Sequence, residues 1–283
     1  MNAPLDARQR AMLAEMGIPL WTPPRARRAA PVAVPASPPQ VAPVARPQPA
    51  VAAAPTPVAT PVPTPVAAPG SLPAGIPGMD WAELEAAVAT CRACGLCQGR
   101  TQTVFGVGDR QADWMVVGEA PGREEDRLGE PFVGQAGKLL DNMLAAIGLS
   151  RRADAQPGAA DGGRPLQGVY IANVVKCRPP NNRNPEPEEI AACEPYLKRQ
   201  IALVQPRIIL AMGRIAVHSL LKTDAPIGRL RGRVHTYEGV PVVVTYHPAY
   251  LLRALPEKAK AWQDLCLALA VVAGQSVPAD EGA

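Results

Sequence analysis

Aromatic residues are scarce in this chain. They make up 4% of its 283 residues, only two are phenylalanine, and none lies between Trp21 and Trp81. Over residues 23–77 proline, alanine and valine predominate instead. Such a stretch has too little side-chain surface to offset the entropy of ordering it, so it cannot form a packed domain. Its prolines favour an extended, semi-rigid spacer that spans roughly 170 Å if every residue rises about 3.1 Å. Long apolar runs are also missing. None would span a bilayer, and the polar segment Met1 to Arg10 is not followed by the apolar core of an export signal. A cytoplasmic, monomeric protein with no membrane association is therefore expected. In that reducing setting the six cysteines read as free thiols or metal ligands rather than disulfides. No strong excess of one charge is present. The formal net charge of +4 suits a polyanionic partner without requiring one. Part of it (Arg25, Arg27, Arg28 and Arg46) falls in the proline-rich stretch.

The remaining chain divides by pattern. Residues 1–22 hold Met12, Leu13, Met16 and Ile18 among charged neighbours, with Trp21 after them. A helix this short is marginal alone, so the segment is either a frayed terminus or a peptide that orders on a partner. Residues 23–77 are a disordered linker, residues 78–274 the folded domain, and residues 275–283 a disordered tail. The domain opens on Asp80-Trp-Ala-Glu83, a capping-box pattern, which predicts a helix to about Thr90. Strands are then expected at 114–118, 169–175, 207–212 and 240–245. Helices are expected at 137–147, 187–204, 215–221 and 257–272. Short, wholly apolar strands alternating with helices imply an α/β fold, a three-layer α/β/α sandwich on a central, mainly parallel four-stranded sheet. Ligands in such folds bind beyond the carboxyl ends of the strands. The stretch 151–164 reads as a surface insertion.

Three strand ends carry unusual chemistry. The first runs into Gly118-Glu119-Ala120-Pro121-Gly122 and then Glu124, Glu125 and Asp126, with Phe132 between glycines at 129 and 134. Glycines around a proline after a buried strand make a tight turn near a ligand. A phenylalanine in such a loop reads as an exposed stacking platform, although a lone phenylalanine is more often core. The second ends in Asn173, an amide in an apolar run that needs partners when buried. It offers both a donor and an acceptor to a base edge; its bland reading is an amide that holds a loop. Lys176, Arg178 and Arg183 follow among prolines, a stiff basic loop suited to phosphates. The last strand ends in His247-Pro248, then Leu251, Leu252 and Arg253. The leucines either begin a helix or form a wedge that enters duplex DNA.

The cysteines give a fourth signal. Cys91-x-x-Cys94, Cys177 and Cys193 could hold zinc or an iron–sulfur cluster, with Cys97 as a competing ligand. Cys266, within Leu265-Cys-Leu-Ala-Leu269, reads as a packed core thiol.

Together, from about Cys91 to Leu269, these segments resemble the family 4 uracil-DNA glycosylases, the iron–sulfur branch of their superfamily. The resemblance implies a [4Fe–4S] cluster on Cys91, Cys94, Cys177 and Cys193. It also implies uracil stacking on Phe132, base reading by Asn173, catalysis by His247, and the family's Gly-Glu-Ala-Pro-Gly turn at Gly118–Gly122. Uracil-containing DNA would be the partner, its N-glycosidic bond hydrolysed to leave an abasic site. Related enzymes of family 1 place an aspartate where Ala120 stands, so Glu119, Glu125 or Asp126 would have to position the water. Glu125 is also expected near the wall that excludes thymine. Arg178, Arg183, Leu251, Leu252 and Arg253 would contact DNA. The peptide from Arg8 to Trp21 resembles the N-terminal peptide of the bacterial clamp loader's psi subunit, which implies a tether to the replication clamp loader. Three other readings compete: a non-catalytic iron–sulfur DNA-binding scaffold, a glycosylase of other base preference, and a zinc-stabilised nucleotide hydrolase.

Overall fold

The computed structural model describes residues 70, 72–152 and 167–275. The peptide expected to bind the clamp loader, most of the linker, nearly all of the 151–164 insertion and most of the tail lie outside the described residues. Packing begins earlier than expected. Gly70 N donates to Arg92 O at 2.8 Å, Leu72 rests against the core, and Ile76 is buried in a short 3-10 turn, Ile76–Gly78. The last residues assigned to the linker thus belong to the domain, because Leu72 and Ile76 supply the apolar surface that the proline-rich stretch lacks. No helix among the described residues is long and apolar enough to cross a membrane.

Helix α1 (Trp81–Thr90) opens on the predicted capping box: Glu83 N donates to Asp80 Oδ1 and Asp80 N to Glu83 Oε2, both at 2.9 Å. Strands β1 (Val107–Gly108) and β2 (Trp114–Gly118) follow, then helices α2 (Arg123–Leu128) and α3 (Gln135–Ala146). Next come β3 (Leu149–Ser150), β4 (Gln167–Asn173), α4 (Pro187–Val204), β5 (Ile208–Met212) and α5 (Arg214–Leu221). The chain closes with α6 (Ile227–Leu230), β6 (Val234–Tyr237), β7 (Val240–Thr245), α7 (Pro248–Leu251) and α8 (Lys258–Val272). The four predicted strands form the parallel centre, in the order β4-β2-β5-β7. The sheet is larger than that, and mixed. Strands β1 and β6 add antiparallel edges, and β3 pairs with the start of β4. Two of these extra strands are two residues long, and β6 alternates exposed and half-buried positions. None presents the continuous apolar run by which a buried strand is recognised.

Alternation along the central strands builds two cores. Met115, Val117, Ala172, Ile209, Ala211, Val242 and Val244 face α1, α4 and α5. Trp114, Val116, Ile171, Ile208, Leu210 and Val243 face α3 and α8. Helix α8 turns Ala261, Asp264, Leu265 and Ala268 to the sheet. Cys266 lies about 100° round the helix from Leu265 and is exposed, not the core thiol expected. The carboxylate of Asp264 takes a core position instead, 2.9 Å from Arg231. Strand β2 has β4 on one side and β5 on the other, so the connections diverge at its carboxyl end and leave a crevice there.

One polar knot ties the first core together. Gln200 on α4 is wholly buried; its Nε2 donates to Phe105 O at 3.0 Å and lies 3.1 Å from the Tyr170 hydroxyl. Its Oε1 accepts from Lys176 Nζ, which also donates to Asn173 O at 2.8 Å. Lys176 is therefore no phosphate contact. It is 1% exposed and points inward, and burial brings its pKa down to about 8. Gln200→Leu removes the bonds to Phe105 O, Tyr170 and Lys176 and leaves the buried ammonium with the Asn173 carbonyl alone, so it is expected to cost about 3 kcal/mol of unfolding free energy. Urea melts read that loss directly.

Candidate active site

The site begins where β2 and β4 end together, with Gly118 in register with Asn173. The pairing continues one step into the loops, Val174 N donating to Gly118 O at 2.9 Å and Val175 N to Glu119 O at 3.2 Å. A Cβ on Gly118 would lie 2.5 Å from both Asn173 Oδ1 and Phe132 Cζ. Only glycine leaves room for that amide and that ring to close over the turn. Asn173 is 2% exposed, and its Oδ1 is buried with no hydrogen-bond partner. A buried acceptor left unsatisfied costs stability, and a ligand donor would meet its need.

Phe132 is not the exposed platform expected from its glycine-rich loop. It is 6% exposed and held in the left-handed backbone region, φ +55°, which costs a non-glycine residue free energy. Two features hold it there. Gly137 lets α3 start hard against the Phe132 carbonyl, where a Cβ would overlap the oxygen. The carboxylate of Glu125 accepts from Val133 N at 3.0 Å and Gly134 N at 3.3 Å through one oxygen, and from Gly122 N at 3.1 Å through the other. Glu125 lines the cleft but works as a latch between the turn and the Phe132 loop. Asp126, another candidate for the water, is buried and accepts from Thr101 N instead.

His247 leaves β7 as the N-cap of α7, and its Nδ1 accepts from Ala249 N at 3.1 Å. With Nδ1 an acceptor, the neutral ring carries its proton on Nε2. Burial brings the His247 pKa down to about 4; Glu125 draws it up and Arg253 presses it further down. The ring stacks, offset, on Phe132, with centroids 5.4 Å apart and planes 26° from parallel. Gly213, at φ +90°, would put a Cβ 3.0 Å from that of His247.

Glu125, Phe132, Asn173 and His247 line one cleft of about 410 Å³, which also takes in Glu119, Ala120, Arg183, Tyr250 and Arg253. A hollow of about 860 Å³ lies across the Phe132 loop, against α3 and Arg151, but it gathers no comparable set of buried polar groups. The expected leucine pair is split. Leu251 is 1% exposed, since the first turn of α7 directs it into the domain, while Leu252 and Tyr250 are exposed. Tyr250 packs on Tyr246 with centroids 5.2 Å apart; an aromatic two residues beyond His-Pro was the overlooked signal. Arg253 is exposed beside them. Arg183 is bidentate to Glu189 at 2.6 and 2.9 Å, which compensates its charge. Arg178 donates to Asn182 Oδ1 at 2.7 Å.

Cys91, Cys94, Cys177 and Cys193 all border the first core, and Cys97 is not among them. Ala93 N lies 3.5 Å from Cys91 Sγ, Arg100 Nη1 3.1 Å from Cys177 Sγ and Lys176 N 3.3 Å from Cys193 Sγ, each a donor to sulfur. Burial pushes the Cys177 thiol up to about 11 and the Cys193 thiol to about 12, against the pull of Arg100 and Lys176 respectively. The Tyr196 hydroxyl is buried beside them, with Cys91 its neighbour among the sulfurs. Among the described residues no three metal-binding side chains form a group that would hold a single ion.

A family model described as the uracil DNA glycosylase superfamily matches residues 105–266, which span every strand end described above. The chain belongs to that superfamily. Within it, a type-4 uracil-DNA glycosylase of Archaeoglobus fulgidus is 44% identical over 173 residues, 58% of this chain and 79% of that protein. A type-4 enzyme of Pyrobaculum aerophilum is 39% identical over 199 residues, 67% and 93% of the two chains. A type-5 enzyme of Thermus thermophilus is 37% identical over 160 residues, 48% and 71%.

The buried imidazole has a measurable signature. NMR titration of His247 is expected to give a midpoint near pH 4, well below the ordinary value of about 6.5. The unfolded chain takes up that proton first, so this group's contribution to stability is lost as pH falls from about 6.5 to about 4. In His247→Gln that part of the pH dependence of unfolding should disappear.

Proposed function

We propose that this protein excises uracil from DNA by hydrolysing the N-glycosidic bond, leaving an abasic site for repair. The observation that carries the reading is the buried Asn173 carboxamide with its Oδ1 unpartnered. Uracil presents an imide N–H beside a carbonyl, and a carboxamide pairs with both at once. Cytosine lacks that N–H, so the same amide would reject it. A site built to pair one polar edge discriminates strongly, because the wrong base leaves buried groups unpaired. The type-4 names carried by the relatives agree with this reading, and they do not favour the scaffold alternative.

An extruded deoxyuridine would lie against Phe132 and reach Asn173. As the bond from the base to the sugar carbon breaks, its electron pair leaves on the uracil ring. The Nε2–H of neutral His247 donates to that growing negative charge, and a pKa near 4 keeps the donor from becoming an acid that loses its proton. Donors fixed in place before the charge develops lower the barrier selectively. Water then adds to the sugar carbon, with Glu119 the carboxylate at hand. Tyr250, Leu252 and Arg253, exposed at the mouth, are suited to occupy the space the extruded base leaves and to meet the backbone.

Cys91, Cys94, Cys177 and Cys193 fit a [4Fe–4S] cluster. They supply four thiolates, one for each iron of such a centre, and the N–H donors at three of the sulfurs would stabilise those thiolates. An acceptor sulfur among them would also satisfy the Tyr196 hydroxyl. Such a cluster would tie the loop ending in Cys177 to α4, which carries Cys193.

The test is uracil release from a uracil-containing oligonucleotide by anaerobically purified protein, beside a thymine control. His247→Ala is expected to slow release by about 10²–10³-fold. Asn173→Asp, which turns the amide's donor into an acceptor, should lose at least as much. No release from single- or double-stranded substrate by cluster-replete protein would end the proposal.

A further inference from the structure

Four carboxylates lie between the first strand end and the close of α2, Glu119, Glu124, Glu125 and Asp126, and three are already engaged. Glu125 and Asp126 accept from backbone amides, and Glu124 pairs with Arg123 and Arg127 away from the cleft. Glu119 alone faces the cleft with no backbone donor on its carboxylate. Burial lifts its pKa above the ordinary carboxylate value, and the charge of Arg214 opposes that rise. The group between them is Asn184. In the amide orientation that satisfies both neighbours, its nitrogen lies 3.3 Å from Glu119 Oε1 and its oxygen 3.2 Å from Arg214 Nη2. Both ends of this relay are fixed. The Asn184 carbonyl accepts from Arg183 at 2.8 Å, and Pro185 follows it, buried. Arg214 starts α5 directly after Gly213, the glycine that also packs against His247.

We propose that Asn184 and Arg214 are positioning residues that aim the Glu119 carboxylate into the cleft and hold it ionised to accept the proton of the attacking water. This inference rests on the glycosylase reading. In the step it describes, the bond from the sugar carbon to the base breaks and its electron pair leaves with uracil. The water oxygen bonds to the sugar carbon, and the water proton passes to Glu119. The charge that acts on Glu119 is that of Arg214. Of the other ionisable groups in the cleft, Arg183 is compensated by Glu189, Glu125 is latched to backbone, His247 is neutral, and Arg253 stands at the mouth. Without the relay, a half-buried carboxylate would protonate at higher pH.

The experiment is a single-turnover pH profile of uracil excision by the holoenzyme and its variants. Arg214 and Asn184 are both exposed, so Arg214→Gln and Asn184→Ala are expected to fold and to keep their melting temperature. In both, the acid limb should move up by roughly one pH unit, with a roughly tenfold loss at the pH of the original limb and little change in KM. Arg214→Lys, which keeps the charge, should recover most of the profile. An acid limb that stays in place in both variants would overturn the relay, as would Glu119→Gln as active as the wild type. Neither result touches the main reading, which fails only if the wild type releases no uracil.

Discussion

The lateral pairing of β2 with β4 carries through to their last residues, and the site depends on what that pairing brings side by side. Gly118 and Asn173 end in register, so a residue without a side chain stands next to a buried amide, and the Phe132 ring fills the space between them. Backbone hydrogen bonds set the spacing of two strands far more rigidly than side-chain packing does. The distance from Phe132 to Asn173 is therefore tied to the pitch of the sheet. Glu125 extends that control outward by joining the turn after β2 to the Phe132 loop through three backbone amides. A base recognised by its edge and its face at once needs such a fixed gap.

Beyond Asn173, the segment to Cys177 links this gap to the cysteines. Asn173 O accepts from Lys176, the Lys176 amide donates to Cys193 Sγ, and Arg100 donates to Cys177 Sγ. The two cations beside the thiols compensate the charge that four thiolates would bring into a half-buried site. Lys176 therefore sits between base recognition and the cysteine site. Its burial is costly in isolation and tolerable because Gln200 and the Asn173 carbonyl accept its protons.

The parallel strands were legible in the residues because each is a short apolar run buried on both faces, and periodicity reads such runs well. Strands β1, β3 and β6 were not, since two are two residues long and β6 is half exposed. Their pairing is decided by the neighbouring strand, which local pattern does not record. The site was legible by address, as every group now lining the cleft follows a strand end. Orientation was not. Lys176 and Leu251 turn inward, Phe132 is buried and Cys266 faces out, because one step along a helix or turn swings a side chain by about 100°. The partners of Glu119 were hidden for a different reason: Asn184 lies in a loop and Arg214 at the start of α5, and only the tertiary fold brings them together.

Gly213 has a bearing on redesign. One turn of backbone at that glycine sets the closest approach to His247 on one side and launches Arg214 on the other. The groups proposed to serve the departing base and the incoming water thus share a single hinge point, and neither can be shifted alone from there. Enlarging the pocket for another damaged base would have to be done from the opposite wall, at Phe132 and the Glu125 latch. Any change there has to keep the stack of Phe132 on His247.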